Sequence, residues 1–390
     1  MLKEIKIPGK GDYSNDAQIQ RVKFLENFSS VSLSEIQETN LNQESLKGHI
    51  ESSIGSVEIP VGVAGPLHIK GNSWEDDIIL PLGTTEGALV SSISRGSKLL
   101  NLSGGVRSSF ISQIMTRVPY FVFDNLDQAN KFVTWIDTHF EIIRDLTSKA
   151  SRFAKLKKIE SEPFGKFVHL RFFYSTGDAA GQNMVTLCTK VICEEIMKRL
   201  SSESFCPQKF FVDGNGSADK KTSMASILKG RGSKVQVEAN ISDENLRSVL
   251  KVDSDSLVEG FNRSLTSTLY GMPSTLNVNM ANVLAAVFGV TGQDLACVGE
   301  SAQGQIFLER TKEGVYATMV LTNLIVGTVG GGTKLPAQKQ MLEFLGCYGE
   351  GKVPRFAEII AGFCLALDLS TFSALVAGHF TRAHMQLGRK

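Results

Sequence analysis

The sequence predicts an α+β protein in which a small unit interrupts a larger mixed one. Between residues 118 and 212 the predicted elements follow the order β-α-β-β-α-β, which is the split pattern of ferredoxin-like domains. The flanking segments, 55–117 and 224–390, combine Gly- and Val-rich strands with apolar helices. Residues 1–54 are polar with short helical patterns, so we expect an N-terminal helical region, a large domain, an inserted small domain and a connecting loop at 213–223.

The predicted helices and strands follow from hydrophobic periodicity and from the Gly and Pro residues that interrupt it. Helices are predicted at Gln18–Phe28, Ser32–Gln37, Asp127–Lys149, Ala179–Leu200, Thr222–Leu228, from Asn277 to about Gly292, and at Ala357–Met385. Strands are predicted within Ile54–Ile69 and at Pro119–Phe123, Phe153–Ile159, Phe167–Tyr174, Lys209–Val212, Lys234–Ile241 and Val315–Val326.

Composition excludes several functional classes. The 41 basic residues balance 40 acidic ones, so there is no general electrostatic case for nucleic acid. No apolar run approaches the roughly 20 residues that span a bilayer, and the N-terminus lacks the apolar core of a secretory signal. The six cysteines form no CxxC pair, which favours buried thiols over disulfides or zinc ligands. We therefore expect a cytoplasmic protein with no metal and no membrane partner.

The stretch Leu80–Leu99 carries the first candidate for chemistry. Thr84 and Thr85 are suited to cap a helix whose first turn contains Glu86, and the small residues that follow allow close approach. Taken alone, this stretch is more typical of an ordinary capped helix than of a reactive site. The loop from Asp213 to Lys221 has the same ambiguity, because its two lysines fit either a solvated surface or a cation delivered to an active site.

Two glycine-containing turns suggest ligand contacts. The turn Ser175–Met184 opens a helix with small residues, as phosphate binding requires, although a simple helix cap fits as well. The predicted strand before Gly327 leads into a GxxxxG pattern, but Thr333-Lys334 reverses the Lys-Ser/Thr order of an ATP-binding loop. No GxGxxG follows the first strand of the inserted unit, which excludes the ordinary dinucleotide fingerprint.

Further candidate residues lie on two predicted helices. Asp294 closes a predicted helix, where the helix dipole opposes an acid, so a cationic partner is expected, although an ordinary cap or surface acid fits as well. His379 and His384 are five residues apart on the last predicted helix, about 140° around its axis, which makes a shared metal site improbable.

Taken together, eight motifs resemble the hydroxymethylglutaryl-CoA (HMG-CoA) reductase family over residues 54–390. In family order they are IPVGVAGPL at Ile59–Leu67, TTEGALVSS at Thr84–Ser92, MTR at Met115–Arg117, TGDAAGQNM at Thr176–Met184, DKK at Asp219–Lys221, GQD at Gly292–Asp294, GTVGGGT at Gly327–Thr333 and HFTRAHM at His379–Met385. The resemblance implies reduction of HMG-CoA to mevalonate and coenzyme A with two hydrides from a nicotinamide dinucleotide.

The resemblance also implies a catalytic set of Glu86, Lys220, Asp294 and His384. The Lys220 ammonium would stabilise the oxyanion formed by hydride addition, and Asp294 would orient Lys220. Protonated His384 would supply a proton to the departing thiolate, and neutral Glu86 would protonate the alcohol.

Binding roles follow from the same resemblance. Substrate contacts are expected from Ser92, Arg95, Arg117, Lys221 and Asn282. Cofactor contacts are expected from Ser151, Arg152, Phe153, Asp178, Gly181, Asn183, Gly330, Gly331, Gly332, Thr333 and Arg389. Ser151-Arg152-Phe153 and Arg389 match positions that recognise a 2′-phosphate, so we favour NADPH over NADH. The family forms active sites across subunits, which implies a homo-oligomer, and the DKK motif with a short tail resembles the class I form without its membrane anchor.

Several positions depart from the family pattern. Asp213 replaces a serine, and an added negative charge near an anionic substrate is unfavourable unless a base pairs with it. The other departures are Ser52-Ser53, Gln182, Thr222-Ser223-Met224, Asn279 and Asn323-Leu324. Two alternatives therefore remain open, a reductase of another acyl-CoA thioester and a non-catalytic paralogue that binds coenzyme A.

Overall fold

The computed structural model describes residues 5–271 and 275–378 and confirms a mixed α+β fold. Helices in these residues are α1 Asn15–Ser29, α2 Ser34–Gln37, α3 Leu89–Leu102, α4 Leu126–Thr138, α5 Phe140–Ala150, α6 Gln182–Arg199, α7 Met224–Lys229, α8 Asp243–Asn245, α9 Ser254–Gly271, α10 Met280–Thr291, α11 Val298–Ser301, α12 Pro336–Phe344 and α13 Val353–Val376. Strands are β1 Val61–Lys70, β2 Glu75–Gly83, β3 Val106–Arg117, β4 Tyr120–Val122, β5 Lys155–Phe164, β6 Phe167–Ser175, β7 Lys209–Phe211, β8 Gly232–Ser242, β9 Gly304–Arg310 and β10 Gly314–Leu324.

Strand β3 joins two sheets. Its first part lies in the order β2-β1-β3-β8-β10-β9, in which β1 and β3 are parallel and the other pairs antiparallel. Its last three residues, Met115–Arg117, pair with β6 of a second, antiparallel sheet in the order β7-β4-β6-β5. The end of β3 therefore lies where the two sheets meet, and it delivers Arg117 to that junction.

Helix α13 is the central core helix, and α3 packs closely against it. Its side chains are buried almost throughout, from Val353 to Ala374. At Gly96 of α3 a Cβ atom would lie 1.9 Å from the Ala366 carbonyl oxygen, so only glycine permits this helix approach. The two helices hold the cavity described below between them and the start of α10.

The same helix corrects one sequence expectation. Among the described residues, Val353–Val376 is long and apolar enough to cross a membrane by length and composition, with a mean hydropathy of 2.0 over its most apolar window. The expectation that no segment approaches that length is therefore wrong. However, 83% of that window is buried inside the protein, as in the core helix of a folded domain.

Several element boundaries also differ from the predictions. The helix predicted at Asp127–Lys149 is two helices, α4 and α5, which meet at His139. The last helix ends at Val376, earlier than predicted, and Gly378 follows with a φ of +68°. The six cysteines are free thiols and five of them are buried, which confirms the prediction for that residue type.

Candidate active site

Glu86 lies in a turn between β2 and α3. The helix begins at Leu89, after Ala88, whose φ is +70°. Thr84 Oγ1 accepts a hydrogen bond from the Glu86 backbone N–H at 3.0 Å, so Thr84 caps the turn and not the helix. The prediction that Glu86 belongs to the first helical turn is therefore wrong. The Glu86 side chain is exposed.

Asn282 holds the Glu86 carboxylate. Asn282 Nδ2, in the first turn of α10, donates to Glu86 Oε2 at 2.6 Å. The start of α10 is fixed by Asp368 of α13, a fully buried carboxylate that accepts from the backbone N–H groups of Val278 and Asn279 at 2.9 and 3.0 Å. Burial raises the pKa of Asp368 to about 6. A buried acid at a helix N-terminus thus positions the amide that contacts Glu86.

A cavity of about 210 Å³ lies beside Glu86. Ser92, Arg95 and Asn282, which were predicted to contact substrate, all line it. Arg95 is half-buried and is oriented by α13, because its Nε donates to Ser370 Oγ at 3.0 Å and its Nη2 to the Ser370 carbonyl at 2.7 Å. With Asn279, which also lines it, the cavity offers one acid, one cation and two amides to a small polar group.

Lys220 and Asp294 form a second pair. Lys220 Nζ lies 3.1 Å from Asp294 Oδ2, and both side chains are partly exposed. The hydrogen bond to Asp294 raises the pKa of Lys220, which keeps the amine protonated. Asp294 is fixed in turn by the backbone N–H of Ala296, which donates to its Oδ1 at 3.1 Å. The cationic partner predicted for Asp294 is therefore Lys220.

The two pairs lie at opposite ends of α10. Asn282 is in its first turn, whereas Asp294 follows Gly292, which ends the helix with a φ of +69°. At 1.5 Å per residue the helix rises about 14 Å from Asn282 to Thr291. Within one chain, Glu86 therefore contacts Asn282 and Lys220 contacts Asp294. The length of α10 separates these two pairs.

Arg117 is buried and already paired. Its guanidinium bonds to Asp213 and, at 3.3 Å, to Asp219 Oδ2, and it also donates to the Gln182 carbonyl. Only 5% of Arg117 is exposed. Asp213 therefore has the basic partner that its charge requires, and it also accepts from Ser217 Oγ at 2.6 Å. Lys221, by contrast, is exposed, and its Nζ donates to the Asp219 carbonyl at 3.1 Å.

Arg231 and Glu300 were not identified from the sequence. Both side chains are fully buried and are joined by a hydrogen bond of 2.8 Å from Arg231 Nε to Glu300 Oε2. Arg231 Nη2 also donates to Asp219 Oδ1 at 2.6 Å. Although burial alone raises it, the pKa of Asp219 is lowered overall by the Arg231 and Arg117 guanidiniums. The only sequence feature that pointed to Glu300 was its charge within the otherwise small and apolar stretch Leu295–Ser301.

Most of the predicted cofactor residues converge near the N-terminus of α6. Gly181 directly precedes this helix and Asn183 is exposed in its first turn. Gly330, Gly331, Gly332 and Thr333 follow Gly327, where a Cβ would lie 2.8 Å from Ala180 N in the turn before α6. A Cβ on Gly292 would lie 2.3 Å from the Gly332 carbonyl oxygen, so the turn at Gly292 and the loop at Gly332 touch through glycine backbones. No described atom lies within 4 Å of a Cβ position at Gly330 or Gly331, which leaves an open surface there.

Asp178 has a structural partner of its own. Its carboxylate accepts from the backbone N–H groups of Gly351, Lys352 and Val353, at 2.8, 3.0 and 3.2 Å, and so caps α13. Its carbonyl accepts from Thr328 N at 2.8 Å. The Asp178 side chain thus ties the segment before α6 to the core helix, and its predicted cofactor contact stays a prediction.

The remaining predicted residues lie on a turn or outside the described chain. Ser151 Oγ accepts from the backbone N–H groups of Phe153 and Ala154, and the Arg152 guanidinium lies 5.7 Å from the Phe153 ring centre. Arg152 and Phe153 are both exposed. His384 and Arg389 lie outside the described residues. Within residues 5–271 and 275–378, no group of three or more His, Cys, Asp or Glu side chains is arranged to hold a metal ion.

Comparisons with known proteins show the family of this chain. Residues 17–389 match the sequence model of the family described as hydroxymethylglutaryl-coenzyme A reductase. The chain is 39% identical over 383 residues to 3-hydroxy-3-methylglutaryl-coenzyme A reductase of Aeropyrum pernix, covering 96% of this chain and 90% of the relative. It is 37% identical over 373 residues to the enzyme of the same name from Methanocaldococcus jannaschii, covering 95% and 92%.

The fold is also that of solved members. A class II 3-hydroxy-3-methylglutaryl-CoA reductase from Streptococcus pneumoniae, whose structure was determined with NADPH, superposes with a TM-score of 0.66 at 17% identity, covering 92% of this chain and 97% of that one. At this identity the likeness concerns the fold alone. The sequence matches, which extend over nearly the whole chain, carry the assignment: this chain belongs to the hydroxymethylglutaryl-coenzyme A reductase family.

Proposed function

We propose that this protein reduces HMG-CoA to mevalonate and coenzyme A, with two molecules of NADPH supplying the two hydrides. The observation that carries the proposal is the Lys220–Asp294 pair, held beside the glycine loop 327–333 in a member of this family. A thioester carbonyl that accepts a hydride becomes an oxyanion, and a partly desolvated ammonium stabilises that charge. The class II relative from Streptococcus pneumoniae was solved with NADPH, which supports the choice of reductant.

Each member of the proposed catalytic set has one task. Lys220 stabilises the oxyanion in both hydride additions, and Asp294 keeps Lys220 protonated and oriented. Collapse of the first adduct breaks the C–S bond and releases the thiolate, to which His384 gives a proton. After the second hydride addition, Glu86 supplies the proton that completes the alcohol. Asn282 holds Glu86 at one oxygen and leaves the other available.

The cavity beside Glu86 and the Arg117 cluster provide the proposed substrate contacts. Ser92, Arg95 and Asn282 line that cavity, and Lys221 is an exposed cation beside Lys220. Arg117 is already neutralised by Asp213 and Asp219. This pairing is the specific observation that favours a second candidate, a reductase of an acyl-CoA thioester other than HMG-CoA.

We assign NADPH binding to the inserted segment 118–212, a ferredoxin-like domain between the two parts of the large domain, 55–117 and 224–390. The strand order β7-β4-β6-β5, with all neighbours antiparallel, supports this assignment. Arg152 and Phe153 are an exposed cation and ring suited to a phosphate and an adenine. The N-terminus of α6 and the open glycine surface at 330–331 fit the rest of a dinucleotide.

We further propose a homo-oligomer in which two chains complete each active site. The separation of the two pairs along α10 supports this, because Glu86 and Lys220 must act on one carbonyl. A strip of exposed apolar side chains also supports it, since Val57, Ile59, Val61 and Val63 share one face of an extended segment beside the Glu86 turn. The free, buried thiols suit a reducing, cytoplasmic compartment.

Activity assays test the proposal directly. Purified protein is given HMG-CoA with NADPH or NADH, and both absorbance loss and mevalonate formation are measured. We expect turnover with NADPH, weaker turnover with NADH, and two reductants consumed for each mevalonate. A panel of other acyl-CoA thioesters tests the second candidate. Binding of coenzyme A without turnover of any thioester would identify a non-catalytic paralogue.

A further inference from the structure

Glu300 holds the main chain of Lys220. The Lys220 backbone N–H donates to Glu300 Oε1 at 3.1 Å, and the other oxygen of Glu300 accepts from Arg231. Lys220 has a φ of +59°, in the left-handed region that is sterically disfavoured for a residue with a Cβ atom. A fully buried carboxylate therefore fixes a lysine backbone in a conformation that it would not adopt readily by itself.

Arg231 fixes the neighbouring residue. Its Nη2 donates to Asp219, directly before Lys220, and its Nη1 donates to the Thr116 carbonyl at the end of β3 at 2.9 Å. Because Arg231 has no exposed surface, its guanidinium depends on these protein partners for its hydrogen bonds. The loop residues 219–220 are thereby tied both to the sheet and to α11.

Asp294 and Glu300 belong to one short segment. Asp294 caps the turn Leu295–Cys297, which leads directly into α11 and Glu300. Asp294 contacts the Lys220 side chain, and Glu300 contacts the Lys220 main chain. The segment 294–300 thus holds Lys220 at its backbone N–H and at its ammonium group. Because both ends of the Lys220 side chain are held, its position and its direction are fixed.

We infer that Glu300, supported by Arg231, is a positioning residue that aims the Lys220 ammonium. The inference rests on the proposed role of Lys220 in the reduction of HMG-CoA. Glu300 reaches no reacting atom in this arrangement and acts only through Lys220. Its loss is therefore expected to lower kcat much more than it changes KM, since substrate contacts remain in place.

The variant Glu300→Asp tests this role with the charge retained. An aspartate is one methylene shorter, so it keeps a carboxylate for Arg231 but cannot also span to the Lys220 N–H. We expect kcat to fall about 10- to 100-fold, with KM for HMG-CoA within about threefold of the original. A double variant, Arg231→Met with Glu300→Met, removes the buried pair, leaves Asp219 with Arg117 as its cationic partner, and is expected to show the same split.

Glu358→Asp is the matched control. Glu358 is also a fully buried glutamate, and it accepts from Trp74 Nε1 and from the backbone N–H groups of Asn72 and Phe110. The same shortening there is expected to lower the melting temperature while kcat stays unchanged. An equal kcat loss in Glu358→Asp and Glu300→Asp would show a general effect of stability and overturn the inference.

Hydrogen exchange of the unaltered protein tests the contact without any variant. The Lys220 N–H is expected to exchange at least about 10³-fold more slowly than in an unstructured peptide, although its side chain is partly exposed. Unprotected exchange there would overturn the inference, as would full kcat in folded Glu300→Asp. If the unaltered protein oxidises no NADPH with any thioester, the proposed function fails, while this exchange rate still decides whether Glu300 holds Lys220.

Discussion

The Asp213 carboxylate is paired with the buried guanidinium of Arg117. The same guanidinium also contacts Asp219, so one arginine lies between two acids. The sequence suggested that Asp213, at a position where the family has serine, needs a basic partner, and Arg117 is that partner. Arg117 was also expected to bind a substrate oxygen, so the two expectations compete for one side chain.

Replacing Asp213 with serine is expected to release Arg117 for substrate. In Asp213→Ser the guanidinium keeps Asp219 but loses one acceptor, and a charged hydrogen bond to substrate becomes available. We expect KM for HMG-CoA to fall about three- to tenfold, with kcat little changed. Ser217→Ala, which removes only the hydroxyl bonded to Asp213, is the control and should leave KM unchanged. An unaltered KM in Asp213→Ser would exclude Arg117 from substrate binding.

Removing the Asn282 amide is expected to impair Glu86. Asn282→Ala deletes the hydrogen bond to Glu86 Oε2, and a hydrogen bond is worth about 0.5–1.5 kcal/mol net. We therefore expect kcat/KM to fall about 2- to 10-fold. Asn101→Ala is a suitable control, because Asn101 also makes two main-chain hydrogen bonds, to His68 N and the Pro66 carbonyl, but lies outside the candidate site. Equal activity of both variants would argue against a role for Asn282.

The Lys220–Asp294 pair makes a prediction about ionisation. Because the hydrogen bond to Asp294 raises the pKa of Lys220, Asp294→Asn is expected to lower that pKa toward its ordinary value. The Lys220 amine can be followed by NMR titration in protein labelled at the lysine side chains. The Lys220→Arg variant identifies the signal by its disappearance. An unchanged titration in Asp294→Asn would show that Asp294 does not control the charge of Lys220.

Asp368 makes a prediction about stability and pH. Burial raises its pKa to about 6, above the ordinary value of 3.8. Between pH 4 and 6 the folded state therefore binds a proton that the unfolded state has released, so this group makes stability fall as pH rises through that window. The difference of about two units corresponds to at most about 3 kcal/mol.

Urea unfolding of Asp368→Asn from pH 4 to 7.5 measures this contribution. The asparagine oxygen still accepts from Val278 or Asn279 but does not titrate. The free energy of unfolding of the variant, relative to the unaltered protein, is expected to rise with pH across the window and to level off above pH 6. A constant difference between the two proteins would show that Asp368 keeps an ordinary ionisation in the fold.

Local signals predicted much of the fold. Gly292 was expected to end the helix that begins near Asn277, and it does so because its positive φ satisfies the last turn. The strand at Lys234–Ile241 was identified from its alternating side chains, and β8 extends it by only two residues at its start and one at its end. Such features depend on neighbours in sequence.

The unpredicted features depend on tertiary contacts. Nothing near Arg231 in sequence indicates a glutamate 69 positions later, yet the two are joined in the core. Nothing near Asp178 in sequence indicates that it caps a helix that begins 175 residues further on. The break at His139 has a local cause, since the ring contacts the Trp135 carbonyl, but an ordinary helical pattern conceals it. The sequence motifs supplied the candidate site residues, whereas the contacts of those residues required the fold.

Mixing two inactive variants tests whether the site is shared between chains. Glu86→Gln and Lys220→Ala each disable one of the pairs at opposite ends of α10. If each site takes Glu86 from one chain and Lys220 from another, a mixed dimer contains one intact site and one that has both defects. Co-refolding equal amounts is then expected to restore about one quarter of the original activity. Glu86→Gln mixed with Glu86→Ala is the control, because both changes disable the same pair and no intact site can form. Recovery confined to the first mixture supports the shared site, and no recovery in it would show that each chain forms its site alone.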